Sequence, residues 1–256
     1  MMAMAVRALA RSLLGVTRVP TYYLPWIAHP GLECTLVLSN VEARFKVGWN
    51  QGSYPLAVAQ YDADGRLVGR HELTLRNVTD VVELPLVAAA SGHGLVIVSG
   101  ERLYSDLYVT VSDGESYSAT HGRGEWIERY PARARLAHAA LGGALALAGR
   151  TVPAFTRHQY AYAGADSRSH LLVMNLSNVT NRVRVAATHE RARAPARVLT
   201  IPPLGTRLLD VGALVGTGGE TRVWRLHLTG NAWFNLYLVC TGPRDLAGPV
   251  SLMHVK

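Results

Sequence analysis

Short runs in which hydrophobic and polar residues alternate cover most of the chain. Such alternation predicts strands with one buried side, and in the first half it recurs between residues 35 and 121. Residues 43–49 form one of these predicted strands, and the Asp-Ala-Asp-Gly sequence of residues 62–65 is typical of a hairpin turn. About eight strands in roughly 100 residues predict an antiparallel β-sandwich of the immunoglobulin-like or jelly-roll kind.

Two segments rich in Ala and Leu have helical spacing instead. In residues 2–16 the larger apolar residues recur at helical intervals and arginines occupy another side, which predicts a basic amphipathic helix. Residues 131–153, near the midpoint of the chain, repeat this composition. The arginines that we single out are Arg7 and Arg11 in the first segment and Arg133 and Arg135 in the second.

The strands that follow the two helical segments resemble each other, and a tandem duplication explains the likeness. The matching segments are residues 43–49 with 182–186, 72–75 with 198–201, 96–100 with 226–230, 106–109 with 235–238, and 118–121 with 251–254. We therefore predict an all-β protein of two tandem antiparallel β-sandwiches, each preceded by a short α-helix. The predicted parts are an N-terminal helix in residues 1–18, a sandwich in 19–128, a helical linker in 129–150 and a second sandwich in 151–256.

Charge and cysteine content narrow the setting. The chain carries 26 Lys and Arg against 18 Asp and Glu, a net charge of +8 that favours an anionic or acidic partner. Cys34 and Cys240 lie in different halves without metal-ligand spacing, so a reducing compartment is expected. Arg7 and Arg11 interrupt the apolar run that a signal peptide needs, and no run is long enough to span a bilayer. We therefore expect a cytoplasmic protein.

No arrangement of residues in the sequence indicates catalysis. Ser118 precedes His121 by three positions, which on a strand places the two side chains on opposite sides. The aspartates of residues 62–65 resemble the beginning of a calcium loop, but the later ligands are missing. We predict no catalytic residue, no metal site and no cofactor, and we expect residues 121–125, His-Gly-Arg-Gly-Glu, to form an exposed loop.

One family resemblance emerges from these residues. The sequence Tyr23-Leu24-Pro25-Trp26, the strand in residues 35–40, the hairpin in 62–65 and the Ser-x-x-His ending of each half resemble the soluble transducer of sensory rhodopsin and its bacterial relatives. The resemblance implies a small cytoplasmic β-sandwich that self-assembles and binds partners without catalysis. The tandem arrangement and the helical segments depart from the single-domain pattern of that family.

We therefore expect a non-enzymatic scaffold, accessory or signalling subunit that binds a protein partner. One form of this hypothesis places it at the inner face of a membrane complex, with residues 2–16 contacting the membrane, and a homo-oligomer is an alternative. The residues that we expect at the partner contact are Arg7, Arg11, Trp26, Trp49, His121, Arg123, Arg133, Arg135 and Trp233.

Two other kinds of ligand stay open at this point. Aromatic side chains such as Trp49, Trp224 and Trp233 would suit a carbohydrate or small ligand if they were exposed. The arginines of residues 191–197 in the second half would suit nucleic acid. The sequence favours a protein partner over nucleic acid.

Overall fold

The chain folds into short antiparallel strands with a single long helix among the residues that the structure describes. This computed structural model describes residues 14–49, 52–86, 92–104, 107–147, 152–165, 167–190, 192–216, 220–242, 246 and 250–254, apart from the side chains of Arg123 and His254. Most of the predicted helix in residues 2–16, including Arg7 and Arg11, therefore lies outside the described residues.

The first half contains nine strands among its described residues. They are β1 (Thr17–Ala28), β2 (Glu33–Ser39), β3 (Tyr54–Tyr61), β4 (Leu67–Leu75), β5 (Val81–Pro85), β6 (Gly92–Ser99), β7 (Tyr108–Ser112), β8 (Tyr117–His121) and β9 (Arg123–Arg129). The helix α1 (Ala132–Leu147) follows, within the segment for which the sequence predicts a helical linker.

The second half has a similar succession of elements. They are β10 (Phe155–Ala163), β11 (Arg168–Asn175), β12 (Asn181–His189), β13 (Ala192–Arg193), β14 (Arg197–Ile201), β15 (Thr206–Asp210), α2 (Val211–Val215), β16 (Arg222–Gly230), β17 (Phe234–Thr241) and β18 (Val250–His254). No helix among the described residues is both long enough and apolar enough to cross a lipid bilayer.

The strands form four antiparallel sheets. The first half contributes the orders β4-β3-β6-β1-β9 and β5-β2-β7-β8, and the second half β15-β11-β17-β18 and β10-β16-β12, with β13 and β14 both paired to β12. The order β14-β12-β16-β10 thus repeats β4-β3-β6-β1, and β15-β11-β17-β18 repeats β5-β2-β7-β8. Strand β9 pairs with β1 and has no counterpart in the described part of the second half.

The central strands β6 and β11 are buried on both faces. Leu95 to Val98 in β6 and Leu171 to Met174 in β11 are consecutive buried residues, and successive side chains of a strand point to opposite faces. Both faces of the sheet are therefore covered at each of these two strands. The buried side chains of the two halves form one continuous hydrophobic cluster.

Strand β9 and the residues after it connect the first half to the second. The backbone N–H of Glu128 donates a hydrogen bond to the Leu176 carbonyl at 2.9 Å. The Asn178 side chain accepts a hydrogen bond from the Tyr130 N–H at 2.7 Å and donates one to the Tyr130 carbonyl at 3.1 Å. These bonds join residues that lie on either side of α1 in the sequence.

The turn between β3 and β4 makes a second junction between the halves. The Ala63 carbonyl accepts hydrogen bonds from the Thr206 N–H at 3.0 Å and from the Arg207 guanidinium at 2.8 Å. The same guanidinium lies 3.3 Å from the Asp64 carboxylate. A turn that the sequence predicts from local residues alone thus also holds the second half.

Two of the predicted elements are wrong. Residues 43–49 are not a strand: a 3-10 helix covers Val41–Phe45, and Val47 is fully exposed. The buried Asn40 side chain fixes the chain here, because it donates to the Arg102 carbonyl at 2.9 Å and accepts from the Tyr104 N–H at 2.8 Å. Residues 123–125, predicted as part of an exposed loop, belong to β9 because β1 is available as their pairing partner.

Candidate binding surface

Helix α1 forms where the sequence supplies strong helix formers. Nine of the twelve residues that follow Arg135 in this helix are Ala or Leu, both of which have high helix propensity. Pro131 stands just before the helix, where its missing N–H is not needed. The Arg135 N–H donates to the Pro131 carbonyl at 2.9 Å and so begins the helical hydrogen bonding. Local propensity is therefore sufficient to explain why a helix forms here.

One side of α1 packs on the second half. Ala134 is buried in a small cluster with Tyr130, Val179 and Ala232, separate from the main core. The Tyr130 ring meets the His138 imidazole edge to face, with ring centres 5.6 Å apart. Burial lowers the pKa of His138, and a hydrogen bond with the backbone of Asn231 opposes that shift. These contacts hold the helix against the turns that follow β11 and β16.

The other side of α1 is apolar and exposed. Leu136 is 73% exposed and Leu147 94%, and the small residues between them on that side are Ala140 and Gly143. Leu141, 55% exposed, lies nearer the packed side of the helix. No charged residue occurs from Leu136 to Leu147. A surface helix normally carries polar side chains on its solvent side, so the outward side of α1 is suited to contact something other than water.

A basic cluster adjoins the beginning of this apolar surface. Arg133 and Arg135 are exposed in the first turns of α1. Gly15 lies beside Arg133, since a Cβ on Gly15 would stand 3.4 Å from the Arg133 guanidinium. The chain that precedes Gly15, with Arg7 and Arg11, therefore joins the described structure at this end of the helix. Neither residues 1–32 nor residues 129–165 contain an Asp or a Glu.

The predicted contact residues do not converge on one surface. Trp26 is buried, and its indole N–H donates to the Tyr61 carbonyl at 2.8 Å. Trp233 is buried as well, stacked on Trp126 with ring centres 5.1 Å apart and covered by the Arg157 guanidinium 4.6 Å above it. Neither indole is available to a partner, because both fill space between packed strands, and this corrects the expectation for these two residues.

Trp224 is buried too, so two of the three tryptophans considered for a carbohydrate site are inside the protein, and Trp49 alone is partly exposed. His121 is partly exposed, with its ring 3.2 Å from the Gly122 carbonyl, and its own carbonyl accepts from the Tyr237 hydroxyl at 3.0 Å. The side chain of Arg123 lies outside the described residues.

Ser118 and His121, the Ser and His at the end of the first half, both take part in hydrogen bonds between the two halves. The Ser118 hydroxyl accepts a hydrogen bond from the Leu252 N–H at 3.1 Å. Within the described ranges, no three His, Cys, Asp or Glu side chains come close enough together to hold a metal ion.

Sequence reasoning missed the exposed leucines of α1. Leu136, Leu141 and Leu147 lie in the predicted helical linker, whose apolar residues the sequence places either in the interface between the two sandwiches or on a partner. The signal that could have found them is the combination of Arg133 and Arg135 with the uncharged run that follows. No protein-family model matches this chain, and neither the curated proteins nor the solved structures include a match to it.

Proposed function

We propose that this protein is a non-enzymatic scaffold or accessory subunit of two tandem β-sandwiches that attaches to an anionic membrane surface through α1. The observation that carries the proposal is the exposed apolar side of α1, with Leu136 and Leu147 facing outward beside a basic cluster. The repeated strand order of the two halves supports the tandem arrangement. We further propose the cytoplasmic face of the membrane, which agrees with two cysteines that are free.

The expected strength of this contact follows from the exposed side chains. The exposed fractions of Leu136 and Leu147 correspond to slightly less than two whole leucine side chains, each worth about 2 kcal/mol on burial. Arg133 and Arg135 add about 1 kcal/mol each near an anionic leaflet. The total of about 5 kcal/mol is similar to the reversible binding of a single myristoyl chain.

Charge favours a membrane over a second copy of the chain as the occupant. Arg133 and Arg135 lie at the end of α1 that adjoins the N-terminal segment. Residues 1–32 and 129–165, which surround this end of the helix in the sequence, contain no acidic residue that could pair with the arginines of another copy. An anionic lipid surface supplies the missing negative charge and accepts the apolar side of the helix at the same time.

Vesicle co-sedimentation of the full chain tests the proposal. The protein is expected to bind vesicles that contain phosphatidylserine, to bind phosphatidylcholine vesicles much less, and to be released by salt. Leu136→Asp combined with Leu147→Asp should abolish binding, whereas Leu67→Asp, at an exposed leucine of β4, should leave it unchanged. Arg133→Gln combined with Arg135→Gln should weaken binding about tenfold or more.

Two results would overturn the proposal. One is a full-length chain that stays in the supernatant with every vesicle composition. The other is a stable dimer in analytical ultracentrifugation that the Leu136→Asp and Leu147→Asp changes convert to monomer, because the occupant of the apolar side would then be a second copy.

A further inference from the structure

The second half presents a flat surface that membrane attachment does not use. Its sheet β10-β16-β12-β14 turns one side to solvent, and on that side His158 lies opposite His227 and Tyr160 lies opposite Arg225 in the pairing of β10 with β16. The two imidazole rings are stacked with centres 4.8 Å apart. The outward side chains that we call the basic face are His158, Tyr160, Tyr162, Arg184, Arg225 and His227.

Positive charge on the basic face is not neutralised. None of the strands β10, β12, β13, β14 and β16 contains an Asp or a Glu, and Arg184 and Arg225 form no ion pair within the described structure. Residues 151–256 contain 12 Lys and Arg against 5 Asp and Glu, whereas residues 1–150 contain 14 against 13. In the equivalent β4 of the first half, Arg70 pairs with Glu72 at 3.2 Å. The excess charge thus belongs to one half and is displayed on one sheet.

The cations of the basic face lie close enough to act on one another. The pKa of His227 is lowered by partial burial first, and then by the positive charge of His158, Arg184 and Arg225. These are the charged or titratable groups that face His227 from β10, from β12 and from its own strand. An anion placed among them would relieve this repulsion and favour protonation of His227.

Exposed aromatic rings accompany the cations. Tyr160 is 60% exposed and Tyr162 45% exposed. They are alternate residues of one strand, so they stand on the same side about 7 Å apart. The apolar residues exposed on this side are valines, Val198 and Val223, which are too small to anchor the sheet in a lipid bilayer. Flat rings with arginines beside them suit planar bases joined by phosphates.

We infer that the basic face binds single-stranded nucleic acid, with bases stacked on Tyr160 and Tyr162 and phosphates bound by Arg184 and Arg225. Stacking of bases on side chains of an open sheet, next to arginines that contact the phosphates, is a general way in which proteins hold single strands. This inference does not depend on the membrane contact of α1, because it uses different residues.

Fluorescence anisotropy with the full chain and a labelled oligodeoxythymidylate of about 12 nucleotides tests the inference. Tyr160→Ala combined with Tyr162→Ala should weaken binding about 30-fold or more at any salt concentration, since each of the two stacked bases contributes a salt-independent part of the affinity. Arg225→Gln should weaken binding and reduce the slope of log affinity against log salt by about 0.7. Affinity should rise as the pH falls from 7.5 to about 5.5, and this rise should shrink in His227→Gln.

Matched controls exist in the same chain. Tyr117→Ala removes an exposed tyrosine of β8, and Arg70→Gln removes an exposed arginine from the equivalent sheet of the first half, so neither change should alter binding. The inference is overturned if the oligonucleotide does not bind at low salt. It is also overturned if the tyrosine variants bind as tightly as the unaltered protein, or if heparin and phosphatidylserine vesicles bind the basic face as well as the oligonucleotide does, because the surface would then recognise charge alone.

Discussion

Gly65 provides a sensitive test of the contact between the two halves. It has φ +75° in the β3–β4 turn, and a Cβ at this position would overlap the carbonyl oxygen of Pro203. Gly48 has almost the same backbone angle, φ +76°, but nothing lies within 4 Å of a Cβ there. We predict that Gly65→Ala destabilises the protein much more than Gly48→Ala, because only the first change forces the turn away from the second half.

The expected difference can be worked out from the contacts of the turn. Left-handed backbone strain contributes about 1–2 kcal/mol to both substitutions. At Gly65 the overlap adds about 1–3 kcal/mol of overpacking. Movement of the turn also weakens the two hydrogen bonds that the Ala63 carbonyl accepts from Thr206 and Arg207, each worth about 1 kcal/mol. The free energy of unfolding should therefore fall by about 5 kcal/mol for Gly65→Ala and by about 1–2 kcal/mol for Gly48→Ala.

Urea unfolding followed by tryptophan fluorescence measures both free energies. Arg207→Ala adds a second test, since the arginine should contribute less to stability once Gly65→Ala has moved its partner away. Equal destabilisation by the two glycine substitutions would refute the reasoning. So would strict additivity of Gly65→Ala and Arg207→Ala, because the turn and the arginine would then act independently.

Three further predictions concern side chains that are buried or partly buried. Burial, reinforced by the charge of Arg207, lowers the pKa of His93 to about 4 from 6.5, so stability should be lost as the pH falls from about 6.5 to 4, by about 3 kcal/mol in total. Burial raises the pKa of the Cys34 thiol to about 11, so in the native protein a thiol reagent at pH 8 should label Cys240 and not Cys34. Asn178→Ala should destabilise the protein by about 2 kcal/mol, because it removes both hydrogen bonds to the backbone of Tyr130.

Each of these predictions has a control. His93→Gln keeps a hydrogen-bonding group near the Thr206 hydroxyl, which lies 2.7 Å from the His93 ring, and should remove this part of the pH dependence. If the variant lost as much stability between pH 6.5 and 4 as the unaltered protein, the prediction for His93 would be contradicted. Denaturation should expose both thiols, and rapid labelling of Cys34 in the native state would argue against its burial. Asn77→Ala breaks hydrogen bonds within an exposed turn, and a loss as large as that of Asn178→Ala would mean that the junction contributes little.

Much of the local structure follows from the sequence alone. Residues 62–65 form the predicted turn because the Asp62 carboxylate accepts from the Asp64 and Arg66 N–H groups at 2.9 and 2.8 Å and because glycine tolerates positive φ. Strands such as β3 and β4 and the helix α1 occur where period-two alternation or helix propensity predicts them. These features depend on neighbouring residues, which the sequence displays directly.

The tertiary structure alone decided which segments pair and which side chains are covered. Residues 43–49 alternate like a strand but have no strand to pair with, whereas β9 forms because β1 lies alongside it, about a hundred residues earlier in the chain. The sequence around Trp26 and Trp233 is compatible with either exposed or buried rings, and only the packing around them shows that both are buried.

The outward side of α1 and the basic face are decided in the same way. Periodicity states which residues of α1 share a side, but not that Leu136 and Leu147 find no cover in the fold. Likewise, the net charge of +8 does not reveal that Arg184 and Arg225 converge with tyrosines on one sheet. The sequence thus determines the elements, because these depend on local spacing, and the tertiary structure determines the candidate surfaces, because these depend on which distant segments meet.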